Sequence, residues 1–253
     1  MISKEQFKYF NSLKNKKNRL NEKKILVEGE RLVFELLKSN IKLDYLLISD
    51  NSSFSKIGNN IIKEAKKNKT QIDTLDHHLI KKLSQTKNNQ SFIAICDLPE
   101  YKNINYNNNI LALDHISDPG NMGTLLRTAE WFGIQNIILS ENCVDIFNPK
   151  VIRSAMGAHF YLDSILNCNL SNELINLNNN DYSILGADLN GYQISKIKIK
   201  KKWVLIVGNE ANGLSNTILN QINDFITISK HGNIESLNAA IAGSILLNTL
   251  VNK

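Results

Sequence analysis

Trp203-Val204-Leu205-Ile206-Val207-Gly208-Asn209-Glu210-Ala211-Asn212-Gly213-Leu214 is the stretch whose reading decides the fold. Its first five residues are continuously apolar, the pattern of a strand buried on both faces of a parallel sheet. The strand feeds a glycine-bracketed loop at its C-terminal end, where open α/β sheets place ligands. Gly208 and Gly213 permit close backbone approach or a positive φ, and Glu210 is presented at that crevice. The loop is neither GxGxxG nor a P-loop, which disfavours nucleotide-phosphate binding of those kinds. A plain strand-to-helix turn has the same pattern, so the stretch has to be weighed with its neighbours.

Outward from it, apolar runs alternate with helical patterns. Strands are expected at 110–114, 136–140, 182–187, 203–207 and 224–229, and helices at 121–132, 149–157, 171–177, 214–221 and 236–251. Alternation of this kind predicts an α/β fold with a mainly parallel sheet covered on both faces. Lys196, Lys198 and Lys200 alternate with Ile197 and Ile199, which in an extended segment puts the lysines on one side. The N-terminal hundred residues form a smaller α/β pattern. A helix carries Phe7, Phe10 and Leu13, and a basic stretch follows from Lys14 to Lys24. Next come an apolar piece at 25–27, a helix at 31–38, a strand at 45–49, a Lys-rich helix at 59–69 and a strand at 92–96. The basic stretch reads as a solvated face or as a set of phosphate contacts. The Asn-rich segment before Ile110 lacks apolar periodicity and is the linker. The expected division is therefore 1–98, a linker at 99–109, and 110–253.

The chain of 253 residues is 42% hydrophobic, enough for a buried core. No apolar run approaches the ~18 residues of a membrane span, and the first residues lack a secretory pattern; a cytoplasmic protein with no membrane association is expected. Cys96, Cys143 and Cys168 are odd in number and unpaired in spacing, fitting neither a disulfide framework nor zinc, and the histidines have no ligand spacing, so no metal is expected. The net charge of +6 suits a polyanionic partner, although Lys- and Asn-heavy usage weakens that argument.

Two further constellations carry chemistry. In Asp114-His115-Ile116-Ser117-Asp118-Pro119-Gly120-Asn121-Met122-Gly123-Thr124-Leu125-Leu126-Arg127 a strand ends, the chain turns through Pro119-Gly120, and a helix starts near Asn121 and stops at Gly133. Asn121 and Arg127 lie within about 120° of each other on that helix. In Ile226-Thr227-Ile228-Ser229-Lys230-His231-Gly232-Asn233-Ile234-Glu235-Ser236-Leu237-Asn238-Ala239-Ala240-Ile241-Ala242-Gly243 a strand runs through a loop to a closing helix, with Ser236 expected as its N-cap. The small residues of that helix let another backbone approach closely. Taken singly, each segment has an ordinary structural explanation.

Taken together, in this order and spacing, they resemble the SpoU (TrmH) family of the SPOUT methyltransferase superfamily. The matching residues are Asn121-x-Gly123-x-x-x-Arg127, Gly208-x-Glu210-x-x-Gly213-Leu214 and Glu235-Ser236-Leu237-Asn238, with Asn148 to Ala158 also similar. The resemblance covers 110–253, and Val27-Glu28-Gly29-Glu30-Arg31-Leu32 resembles the family's N-terminal RNA-binding domain less specifically. It implies a C-terminal α/β trefoil knot, which the alternation of elements does not, and S-adenosylmethionine as methyl donor. The implied reaction is methylation of a ribose 2′-hydroxyl in RNA, ribosomal RNA before tRNA. Carried over by position, Arg127, Asn121, Glu210, Ser236 and Asn238 are the catalytic residues. Gly208, Ile228, Leu237, Asn209 and Gly213 form the cofactor site. The resemblance also implies a homodimer in which Arg127 and Asn121 of one subunit approach the cofactor site of the other. One departure stands out: the family commonly has Ile-Pro-Met where this chain reads Ile228-Ser229-Lys230, which removes a rigid φ and sets a lysine near the pocket. The competing readings are a non-catalytic RNA-binding or ribosome-assembly protein on the same fold, against which the five retained polar residues argue, and an oxidoreductase, against which the missing glycine fingerprint argues.

Overall fold

The apolar runs become strands of two separate sheets in a computed structural model that describes residues 2–50, 54–86 and 91–253. The chain divides into two units, Met1–Glu100 with Phe147–Tyr161, and Tyr101–Ile146 with Leu162–Lys253. The excursion Phe147–Tyr161 leaves the second sequence-defined stretch and belongs to the first unit.

The first unit comprises α1 (Lys4–Ser12), α2 (Lys16–Glu22), β1 (Lys24–Glu28), α3 (Glu30–Lys38), β2 (Leu43–Ser49), α4 (Lys56–Lys67), β3 (Gln71–Leu75), α5 (His77–Leu83) and β4 (Phe92–Asp97). Its sheet runs β1-β4-β2-β3, with β4 antiparallel to both neighbours and β2 parallel to β3. Phe10, Leu13, Leu47, Ile80, Leu83 and Ile93 fill one face as a core. Ser3 and Gln6 close a reciprocal capping box on α1. The three elements with no counterpart in the sequence reading, α2, β3 and α5, are short, and β3 alternates exposed and buried residues as an edge strand does.

The second unit comprises β5 (Ile110–Leu113), α6 (Pro119–Trp131) and β6 (Asn136–Ser140), followed by β7 (Ser164–Cys168), α8 (Leu170–Asn179), β8 (Ser183–Gln193), β9 (Trp203–Val207), β10 (Asp224–Thr227) and the closing α9 (Ala239–Val251); α7 (Pro149–Ala155) lies in the excursion to the first unit, where it packs along β1. The sheet order is β10-β8-β9-β5-β6-β7, and every pairing is parallel. β5 and β9 sit at the centre and are buried throughout, as their continuous apolar sequence requires. No helix among the described residues is long and apolar enough to cross a membrane.

Several expected boundaries are corrected. Residues 214–221 form turns with a single 3₁₀ turn at Leu219–Gln221, because Ser215 N is tied to the buried Asp114 carboxylate (2.7 Å) and the Ser215 and Thr217 hydroxyls bond each other (3.1 Å). The closing helix starts at Ala239, not 236. Its cap is Asn238 in place of Ser236, since the Asn238 carboxamide oxygen accepts from Ala240 N (3.0 Å) and Ile241 N (3.2 Å). Lys196, Lys198 and Lys200 alternate in exposure with Ile197 and Ile199 as expected, yet the segment pairs with no strand. β7, absent from the sequence reading, is a half-exposed edge strand with little apolar signal.

β8 pairs with β10 through a register shift between Phe225 and Ile226. At the shift a Cβ on Gly191 would lie 2.6 Å from Ile226 N and 2.6 Å from Phe225 C, both backbone atoms that cannot swing aside. Gly191→Ala is expected to lower unfolding free energy by about 1–3 kcal/mol; a urea titration that leaves the midpoint unchanged would contradict this account of the shift.

Candidate functional site

The C-terminal ends of β8, β9 and β10 open onto a cavity of about 490 Å³, within the roughly 300–1,000 Å³ of small-molecule sites. Its walls come from three chain segments and from Ala239, Ala242 and Leu246 on α9. Ala187 to Asn190 follow the buried half of β8, Val207 to Gly213 follow β9, and Ile226 to Leu237 connect β10 to α9. Ile226, Ile228, Leu237 and Leu246 give it an apolar face. Asp188, Glu210 and Glu235 bring carboxylates to it, and Lys230 and His231 bring nitrogen groups. Gly208, Asn209, Gly213, Ile228 and Leu237, the five residues matched to a cofactor site, all line it.

Local chemistry fixes the β9 loop. Asn209 N donates to Gly213 O (3.0 Å) and Gly213 N to Asn209 O (2.9 Å), folding 208–213 back on itself. The turn requires Gly213 at φ +64 and leaves no room for a side chain at Gly208, whose Cβ would sit 2.4 Å from Gly213 O. The Asn209 side chain is committed to the loop. Its oxygen accepts from Ala211 N (2.9 Å) and Asn212 N (3.2 Å), and its nitrogen donates to His115 O (3.0 Å). The loop therefore offers backbone groups to a ligand.

The helix α6 starts where the sequence provides both signals for it. Asp118 accepts from Asn121 N (2.9 Å) as N-cap, and Pro119 occupies the first turn. This sets Asn121 on the first turn, where its Nδ2 donates to Glu210 and its Oδ1 accepts from Asn238 Nδ2 (2.9 Å). Three segments far apart in sequence thus meet through three side chains. Beneath them α6 and α9 pack closely. A Cβ on Gly243 would lie 2.6 Å from Leu125 Cδ2 and 3.2 Å from Val207 Cγ2, and Thr128 and Ser244 hydroxyls bond at 3.0 Å. The small residues of the third motif serve that approach.

Arg127 and Ser236 stand apart from this link. Both are exposed, and neither side chain makes a hydrogen bond or ion pair among the described residues. Arg127 is not part of the cavity wall, whereas Ser236 is. Two residues outside the sequence-derived set matter to the geometry: Asp118, legible as a cap because Pro-Gly follows it, and Asp114, 1% exposed, whose carboxylate holds the chain leaving the β9 loop at Ser215. Ser229, on the departure from the family pattern, accepts from Gln193 Nε2 (2.8 Å), which ties the β10 exit to the end of β8. Among the described residues no group of His, Cys, Asp and Glu is arranged to hold a metal ion.

Comparison with known proteins shows the family and the fold. The profile of the SpoU rRNA Methylase family matches residues 108–248, and that of the MRM3-like substrate binding domain matches residues 4–94. The chain is 31% identical over 244 residues to the 23S rRNA (guanosine(2553)-2'-O)-methyltransferase RlmP of Bacillus subtilis, covering 96% of this chain and 94% of that protein. The AdoMet-bound rRNA methyltransferase from Sinorhizobium meliloti superposes with a TM-score of 0.81 at 25% identity, over 98% of this chain and 94% of that one. The SpoU methyltransferase AviRb from Streptomyces viridochromogenes, with a TM-score of 0.84 at 21% identity over 99% and 98% of the two chains, shares the fold. The chain belongs to the SpoU rRNA methylase family. It is an RNA methyltransferase with the SPOUT α/β-knot fold, and its methyl donor is S-adenosylmethionine.

The cavity fits that donor in size, in its apolar face for a purine and in its carboxylates for a sulfonium cation. Because Gly208 admits no side chain, Gly208→Ala is expected to weaken S-adenosylmethionine binding at least tenfold by calorimetry. Unchanged affinity in a folded variant would remove the β9 loop from the cofactor site.

Proposed function

We propose that this protein transfers the methyl group to a ribose 2′-hydroxyl of ribosomal RNA, in the large subunit before tRNA. The observation that carries the reading is the hydrogen-bonded link Glu210–Asn121–Asn238, which joins the three motif segments beside the cavity. The similarity to RlmP along nearly the whole chain supports the ribose oxygen and the ribosomal target. S-adenosylmethionine supplies an electrophilic methyl carbon on a sulfonium. The chain's own residues have to align the 2′-oxygen with it and help the hydroxyl proton leave as the new O–C bond forms.

In this reading Glu210, Asn121, Asn238 and Ser236 hold the nucleotide, and Gly208, Asn209, Gly213, Ile228 and Leu237 hold the cofactor. Arg127 has no other task among the described residues and contacts the RNA phosphate next to the target ribose. A guanidinium stays protonated at any physiological pH, so its contribution is electrostatic: it orients the phosphate and favours the developing alkoxide. Arg127→Ala is expected to lower the single-turnover rate by about 100-fold or more with unchanged cofactor affinity; a wild-type rate would overturn its role.

The active form is a homodimer. α6 and α9 expose Trp131 (82%), Ile241 (52%) and Ile245 (40%), an apolar surface of the kind that self-association covers. Arg127 lies one turn before Trp131 on the same helix, which suits a role in the partner's site. Mixing the Arg127→Ala and Gly208→Ala proteins, at a cofactor concentration too low to fill the Gly208→Ala site, is then expected to restore about a quarter of wild-type activity, because mixed dimers retain one intact site. No restoration after subunit exchange would place Arg127 in its own subunit's site. The first unit binds the RNA and the second, which begins at Tyr101, carries the transfer chemistry; ribosomal RNA as substrate makes the cytoplasm the place of action.

A further inference from the structure

The first unit carries a feature that neither the cavity nor the motif link uses: the corner between α1 and α2, joined to the last turn of α5. Two side chains inside the corner are directed at its own carbonyl groups. Arg19, 4% exposed, donates to Leu13 O (3.1 Å) and Lys14 O (2.7 Å), and Asn18 Nδ2 donates to Ser12 O (3.1 Å). Lys14 Nζ reaches across to Lys82 O (2.5 Å), so α5 ends within one lysine side chain of the corner. Asn15 caps α2 by accepting from Lys17 N (2.8 Å). A buried guanidinium is a costly way to tie a surface corner unless the corner must keep its shape.

Four lysines are presented by this frame. Lys16 and Lys17 lie on the first turn of α2, and Lys81 and Lys82 on the last turn of α5. All four are exposed, and their ammonium groups make no hydrogen bond or ion pair among the described residues. Residues 12–19 and 77–86 contain no Asp or Glu. The nearby carboxylate of Glu28 is 5% exposed and already bound by the Ser84 hydroxyl, Gln85 N (3.1 Å) and the Thr86 hydroxyl (2.9 Å). Solvated lysine faces on helices are usually interleaved with acids; on α4 of the same unit, Lys67 pairs with Glu64 (3.6 Å). Here the acids stand only at the far ends of the two helices, Glu22 on α2 and Asp76 capping α5, and the backbone beneath the lysines is tied by side-chain hydrogen bonds.

From this we infer that the α1–α2 corner and the end of α5 form a surface that grips RNA phosphates. The inference rests on RNA being the substrate and adds where the chain holds it. Ammonium groups on a fixed frame contact phosphates without reading sequence, and they anchor and orient a structured RNA while other residues choose the nucleotide. Each contact releases counterions, so the surface has a signature in salt dependence.

The test uses the full chain and transcribed 23S ribosomal RNA in a binding titration across a KCl series. The variant Lys16→Gln, Lys17→Gln, Lys81→Gln, Lys82→Gln is compared with a control of similar charge loss on α4, Lys63→Gln, Lys66→Gln, Lys67→Gln. The first is expected to bind RNA at least tenfold more weakly near ~0.1 M salt, with the slope of log Kd against log salt shallower by about 2–3. Its melting temperature and S-adenosylmethionine affinity stay at wild-type values, the control stays within about twofold, and replacing the same four lysines with arginine keeps RNA affinity. Equal losses in the two Gln variants, or an unchanged slope in the first, would overturn the inference. A wild-type protein that binds RNA but transfers no methyl group to it would fail the functional reading instead, and would leave the affinity difference between the variants to be read on its own.

Discussion

The approach of α6 to α9 is the constraint on which the rest of the second unit depends. Gly243 has no side chain where Leu125 and Val207 press against the helix, and this lets the closing helix lie close to α6 and the end of β9. The Glu210–Asn121–Asn238 link sits on top of that packing. Its members are partly or fully exposed, so water competes for each bond and the net stabilisation is modest, about 0.5–3 kcal/mol for a bond of this type. The helix contact therefore holds the segments together, and the link orients them. A polar chain with so little to contribute to stability is better explained by what it positions.

The same division between frame and function recurs in the β9 loop. Asn209 was matched to cofactor binding, yet its side chain is fully engaged with Ala211, Asn212 and His115. What reaches the cavity from this loop is backbone together with the Glu210 side chain, and the close backbone fold explains why glycines bracket it. Asp114, buried at the end of β5, does comparable work by holding Ser215. In the first unit Arg19 is a buried cation that donates to two carbonyls of the corner between α1 and α2.

The central strands were legible because strands buried on both faces read as unbroken apolar runs, as in Ile110–Leu113 and Trp203–Val207. Edge strands such as Ser164–Cys168 lack that signal, since most of their residues are only partly buried and polar residues are admitted among them. The cap of α9 was misplaced because Ser236 and Asn238 are both good N-cap residues; the choice is made by the path of 228–238 across the ends of β8 and β9, which is tertiary information. The site itself was legible only as three motifs in order. Spacing along the chain says nothing of Asn121 meeting both Glu210 and Asn238, across 89 and 117 positions. Nor does it say that Phe147–Tyr161 joins the first unit, because its helix, capped by Asn148 with Pro149 in the first turn, reads like any other in the alternation.

The central claim is that this cavity and the link beside it serve methyl transfer to a ribose oxygen of ribosomal RNA. The most direct measurement incubates the purified protein with unmodified 23S ribosomal RNA and isotopically labelled S-adenosylmethionine, followed by nuclease digestion and mass spectrometry of the nucleosides. The account predicts label in one 2′-O-methylnucleoside at a single position, lost in the Arg127→Ala protein. Label on a base, or no transfer by a protein that binds both RNA and cofactor, would contradict it.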